Sequence, residues 1–303
     1  MSVPGVNAMA TRFSILEVPS SLGLSVSGVE LLPRALKKAG LMDDLQADYI
    51  GQVDIPFREA QKDRSTLLLN PHSIRECSLR LADKTTDIIG QGKFPVVLGG
   101  DCSILIGCML ALRRLGRYGL FFIDGHADFF QPEAEPNGEV ASMELAIVSG
   151  RGPDILTDID NLKPLLQDDS IVAFGYRDLE DQKEYGSQDI SKTAIANYDL
   201  GKVRELGFSK AVQKPIETLQ RKNLDGVWIH CDADVLDDSI MPAVDYRVPG
   251  GLQWFELTEV LSALMESGIA VGISITIFNP ELDPDGTIAK RFSRSITDGL
   301  LRY

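Results

Sequence analysis

Asp124, His126 and Asp128 fall in the run D-G-H-A-D, and His230, Asp232 and Asp234 fall in H-C-D-A-D. Each run follows an apolar stretch, residues 120–123 in the first case and 227–229 in the second. Alternate residues of a strand point to one face. Two strand ends would therefore gather carboxylates and imidazoles in one place. Carboxylates packed that closely repel one another strongly unless a cation sits between them. The spacing asks for a divalent metal, and for more than one ion. A third segment, G-G-D-C-S at 99–103, follows the apolar run 95–98 and opens a helical pattern.

Elements of regular structure must bring these segments together. Apolar runs at 13–18, 49–55, 95–98, 120–123, 171–174, 227–229 and 269–278 predict strands. Most are continuous rather than alternating, as in strands buried on both faces of a parallel sheet. Helical periodicity occupies 28–40, 73–90, 103–115 and 257–265. Alternation of the two predicts a doubly wound α/β sheet, in which ligands bind beyond the carboxyl ends of the strands. The polar stretch 131–138, with Pro132 and Pro136, reads as a loop at the mouth of the site, and 182–199 as a second polar excursion on the same rim. The expected organisation is one domain over 1–303, with 1–12 a flexible terminus.

Composition narrows the function classes. The chain has 303 residues, 44% of them hydrophobic, and a formal net charge of -14. Its isoelectric point is about 4.7 and its mean hydropathy -0.01. That field has the wrong sign for nucleic acid or an anionic membrane, and a small molecule is the expected partner. Four cysteines without a C-x-x-C pair fit a reduced, cytoplasmic setting. The first residues lack the apolar core of a signal peptide, and no stretch has the length of a membrane span.

With these motifs in this order, the chain resembles the ureohydrolase family of arginase, agmatinase and formiminoglutamase over nearly its whole length. Residues 15–40 look like the family's opening strand and first helix. Residues 99–103 are similar to G-G-D-H-S, 124–128 to D-A-H-x-D, and 232–237, with Pro249-Gly250-Gly251, to D-x-D-x-x-D and its P-G-G. The resemblance implies an arginase-like three-layer α/β/α sandwich with a mostly parallel sheet. It implies two Mn2+ ions per chain, bridged by a hydroxide that attacks an amidine or guanidine carbon before a C–N bond breaks. Asp124 and Asp232 would bridge the ions, Asp128 and Cys102 would complete one shell, and His126 and Asp234 the other. A homo-oligomer, trimer or hexamer, is also implied. The physics agrees: oxygen-rich sites suit hard ions such as Mn2+, and two ions can make a nucleophile from water near neutral pH.

Three departures matter. Cys102 stands where the family has His. A thiolate there would shift preference towards Zn2+ or Fe2+; a small buried thiol that binds nothing would leave a single ion. Residues 139–146, E-V-A-S-M-E-L-A, align with x-x-H-G-M-P-L-A, so Ala141 replaces a His that shuttles protons. Glu139 and Glu144 are candidates for that task or solvated rim charges. Ile277, in T-I-F-N-P, takes the place of the Glu that holds a guanidinium in E-V-N-P. An isoleucine cannot pair with a guanidinium, which points to another amidine, guanidino acid or amide. Glu281 could compensate only if the loop differs.

His230 shares the face of Asp232. It could shuttle a proton or support an Asp ligand, or be a buried His bonded to a backbone carbonyl. Asp128, His230 and Glu144 are thus the candidate catalytic groups. Arg177 could meet a substrate carboxylate or form a surface ion pair. Asp101 could orient a ligand or cap the next helix, His72 reads as a helix-start residue, and Asp237 and Asp238 as loop stabilisers. The leading function is a metal-dependent hydrolase cleaving a C–N bond in a linear amidine, guanidino compound or related small molecule. One rival is a catalytically degenerate relative serving as a regulatory or structural subunit. Retained ligands oppose it, because clustered carboxylates without metal are a folding cost. A deacetylase-like metallohydrolase is opposed by the lack of His-rich motifs, with only 3 histidines present.

Overall fold

The computed structural model describes residues 12–59 and 61–301, and in it the apolar runs become strands of one sheet. They are β1 (Phe13–Glu17), β2 (Asp48–Gln52), β3 (Phe94–Leu98), β4 (Tyr118–Ile123), β5 (Ile171–Phe174), β6 (Ala196–Tyr198), β7 (Gly226–Asp232) and β8 (Ala270–Thr276). Their order is β2-β1-β3-β8-β7-β4-β5-β6, and every pairing is parallel. The terminus expected to be flexible at 1–12 lies, apart from Arg12, outside the described residues.

Alternation along the strands divides the interior into two cores. Phe121 and Ile123 of β4 and Ile229 and Cys231 of β7 face helices Leu32–Lys38, Phe208–Gln220, Trp254–Glu266 and Thr287–Leu301. Leu120 and Phe122 of β4 and Trp228 of β7 face helices Pro71–Gly90, Ile104–Leu115 and Glu144–Val148. The result is the expected three-layer sandwich. Strands β3, β5 and β7 are buried at every position, which is why their sequences run apolar without alternating.

Local chemistry sets the ends of the helices. Pro71 fills the first turn of Pro71–Gly90, where its missing N–H is no loss. Gln253 and Glu256 form a reciprocal cap on Trp254–Glu266. One reading needs correction: the polar stretch 182–199 is not merely an excursion. Its end is the edge strand β6, paired to β5, and its start continues the helix Leu179–Tyr185. With three residues, two of them partly exposed, β6 gives no apolar run to read.

Candidate metal centre

The middle of the sheet, β3-β8-β7-β4, places four carboxyl ends side by side. Asp124 follows β4, Asp232 ends β7, Thr276 ends β8, and Cys102 follows β3 after a Gly-Gly turn. That turn is tightly pinned. A methyl group on Gly100 would overlap the Ser20 carbonyl oxygen. Asp101 accepts from the Ser20 hydroxyl at 3.0 Å and from the Ser103 N–H at 2.9 Å, so it braces the turn that precedes the helix, whose cap is Ser103.

Backbone donors aim the acids. Asp124 Oδ1 accepts from the His126 N–H at 2.7 Å, Asp232 Oδ1 from the Asp234 N–H at 2.8 Å, and Asp234 Oδ1 from the Gly125 N–H at 3.0 Å. Each such carboxylate is left with its other oxygen turned towards neighbouring groups of the centre. Asp234 Oδ2 lies 2.8 Å from His126 Nδ1. Asp124 Oδ2 is buried and meets no hydrogen-bond donor, and the same holds for both oxygens of Glu144. Cys102 Sγ lies 2.7 Å from Asp232 Oδ2 and 3.1 Å from the Thr276 hydroxyl. Arg177 donates to the carbonyls of Asp234, Leu236 and Val248 and so fixes the loop after β7.

Three sets of side chains bring candidate ligand atoms within 4.8 Å of one another: Cys102, Asp124, His230 and Asp232; Cys102, Asp124, Asp128 and Glu144; and Asp124, His126 and Asp234. Every metal-binding residue expected from sequence is therefore gathered, and Glu144 joins them instead of standing on the rim. Burial, reinforced by mutual repulsion, pushes Asp124, Asp128, Asp232 and Glu144 well above the ordinary carboxylate range. Burial also pushes the Cys102 thiol well up, so it stays protonated without a cation. Burial lowers His230 to about 3. It opposes the charging of His126 as well, but Asp234 outweighs it and holds that ring up at about 10. Orphaned buried oxygens, crowded acids and an imidazole fit hard divalent cations.

His230 is fully buried and stacks on Phe122 with ring centroids 4.8 Å apart. Its Nδ1 lies 2.9 Å from the Ser274 hydroxyl, not from a backbone carbonyl, and its Nε2 lies 3.9 Å from Asp124 Oδ2. Sequence reasoning passed over Ser274 and Thr276. Register pairs them with His230 and Asp232, and their alternation in G-I-S-I-T was the available signal. Glu139 is buried, its oxygens taken by Ser25 and the Tyr246 hydroxyl. Glu281 is exposed and does not replace the missing Glu at 277. His72 is exposed at the start of its helix, as read.

Above the acids opens a cavity of about 310 Å³. His126, Asp128, Asp232 and Asp234 form its floor; Glu135, Asp181, Asp245, Tyr185 and Tyr246 stand on its walls beside Leu24, Phe130 and Ile277. The loop 131–138 contributes to the mouth, as its composition implied.

Fold and site together define an α/β protein built to hold divalent metal at the carboxyl end of a parallel sheet. The Arginase family model matches residues 11–300, and the chain belongs to the arginase family. An arginase of Staphylococcus aureus is 30% identical over 285 residues, covering 91% of this chain and 93% of that protein. The solved arginase of Bacillus caldovelox superposes with a TM-score of 0.86 at 28% identity, covering 97% of this chain and 99% of the other. The agmatine ureohydrolase of Thermoplasma volcanium shares the fold, with a TM-score of 0.67 at 20% identity over 97% and 91% of the two chains.

Proposed function

We propose that this chain is a manganese-dependent hydrolase that cleaves a C–N bond in a linear amidine, guanidino compound or related small molecule. The observation that carries the reading is the convergence of six candidate ligands, Cys102, Asp124, His126, Asp128, Asp232 and Asp234, beneath an open cavity, with a buried Asp124 oxygen left unpartnered. Bound ions would supply Lewis acidity and a nucleophile made from water near neutral pH.

The chain's own residues would do the rest. A group that moves protons to substrate must reach it. Asp128 and His126 line the cavity. His230 and Glu144 are fully buried beneath, so they act through the groups they touch. Acidic walls without a Lys or Arg among the lining residues favour a substrate with a cationic group. Ile277 offers apolar surface where a carboxylate would grip a guanidinium, which favours a head group other than a freely ionised guanidinium. The subunit reading is not favoured, because a non-catalytic protein gains nothing evident from an unneutralised buried acid cluster.

The test is metal-stripped protein reloaded with Mn2+ and screened against guanidines, amidines and amides, with release of urea or ammonia as the readout. Two bound ions per chain with turnover of one class is the expected result. Full metal loading with no turnover of any class would refute the reading.

A further inference from the structure

Glu144 is the one acid at this centre with both carboxyl oxygens buried away from any N–H or hydroxyl donor. It is 0% exposed, and its polar neighbour is another buried acid, Asp128. Burying a carboxyl group in that way is costly in either protonation state. It opens the helix Glu144–Val148, which belongs to the layer packed on the sheet. Chain connectivity would let a solvated acid sit on the surface; here the helix holds it inward, against Asp128.

Its neighbours decide what it could serve. A carboxylate oxygen of Glu144 lies within 4.8 Å of ligand atoms on Cys102, Asp124 and Asp128. No Lys or Arg belongs to that group. A third oxygen at the centre that meets no donor, Asp124 Oδ2, belongs to the same cluster of residues. Cys102 already has two polar neighbours, Asp232 and Thr276, and its thiol can donate to the Asp232 carboxylate. With its sulfur turned to those two groups, that side of the centre is one ligand short. A hard divalent ion would find its missing oxygen in Glu144.

We propose that Glu144 is itself a metal ligand, holding with Asp124 and Asp128 the ion on the Cys102 side. This rests on the metal-hydrolase reading above. It adds a ligand that the resemblance does not supply, since the aligned motif has Pro at this position.

Mn2+ binding to the metal-stripped full chain and to Glu144→Gln, followed by calorimetry, elemental analysis and Mn2+ paramagnetic resonance, tests it. The wild-type chain should bind two ions with the spectrum of a coupled pair. Glu144→Gln should keep one ion and bind the second at least tenfold more weakly, with an uncoupled spectrum. Thermal melting gives a second readout. If Glu144 is a ligand, the stripped variant should melt no lower than the stripped wild type, and Mn2+ should raise its Tm by less. An unchanged second affinity, or a variant that melts lower with and without Mn2+ by the same amount, overturns the proposal. Should Glu144→Gln not fold, Glu144→Asp keeps the charge on a shorter arm, and an unweakened second ion in that variant is equally fatal. A wild-type chain that takes up no metal overturns the hydrolase reading and this one together; normal loading with an indifferent variant overturns this one alone.

Discussion

Ile277 carries two signals at once. It lines the cavity, 7% exposed, and its backbone sits at φ +69°. A β-branched residue in the left-handed region is a true outlier, costing on the order of 1–3 kcal/mol. The conformation is imposed from outside: the Ile277 N–H donates to the Gly100 carbonyl at 2.8 Å, tying the end of β8 to the turn that carries Cys102. Strain kept at a cavity wall is consistent with selection for what the side chain presents. Ile277→Glu, which removes the branch and restores a carboxylate, should raise kcat/KM for guanidines at least tenfold, about 1.4 kcal/mol of transition-state stabilisation. Steady-state kinetics on a guanidine panel checks this; an unchanged profile would mean that specificity is set elsewhere. Motif alignment exposed the identity of residue 277. Its strain was hidden, because φ depends on a contact with residue 100.

At the scale of elements, the Gly-Gly turn after β3 controls the site. It lies against the loop after β1 through Ser20 and against β8 through Ile277, so three strand ends share one small volume. Gly100→Ala must push the Ser20 carbonyl away. We expect a loss of about 3 kcal/mol by denaturant unfolding, within the range for overpacked interiors. Mn2+ affinity should fall as well, because Cys102 and the Asp124 cluster lose their register. A stable variant with wild-type metal binding would show that this turn tolerates movement. The turn itself was visible in sequence as G-G-D-C-S. That Asp101 braces it by way of Ser20 was not, since 81 positions separate the two residues.

Across the whole molecule, the buried acids tie stability to pH and to metal. Asp124, Asp128, Asp232 and Glu144 titrate well above their unfolded values of about 4. Above that pH the stripped folded chain holds more protons than the unfolded chain, so its stability falls as pH rises. His230, lowered to about 3 from 6.5, works in the opposite sense between those values. His126, held at about 10, again loses stability as pH climbs from 6.5. Asp234, lowered to about 2, also opposes the four acids, but only below about pH 4, so above that the acids outnumber His230. The Tm of chelator-stripped protein should therefore fall between about pH 5.5 and about 8, and Mn2+ should flatten or reverse the trend by taking the place of the protons. Calorimetric scans with and without chelator measure it; a stripped chain that gains stability across that window would contradict the account.

Sequence alone determined that acids and imidazoles end apolar strands in a parallel α/β sheet, because strand burial and period-two geometry are local properties. It also exposed the departures at Cys102, Ala141 and Ile277, since each breaks a short motif. Only the tertiary structure decided which groups share the centre. It wedged the late strand β8 between β3 and β7, which set Ser274 and Thr276 beside His230 and Asp232. It turned Glu144 inward, committed Glu139 to Ser25 and Tyr246, and gave Arg177 to the loop after β7. Those outcomes depend on contacts between residues far apart in the chain, and the spacing of neighbours carries no record of them.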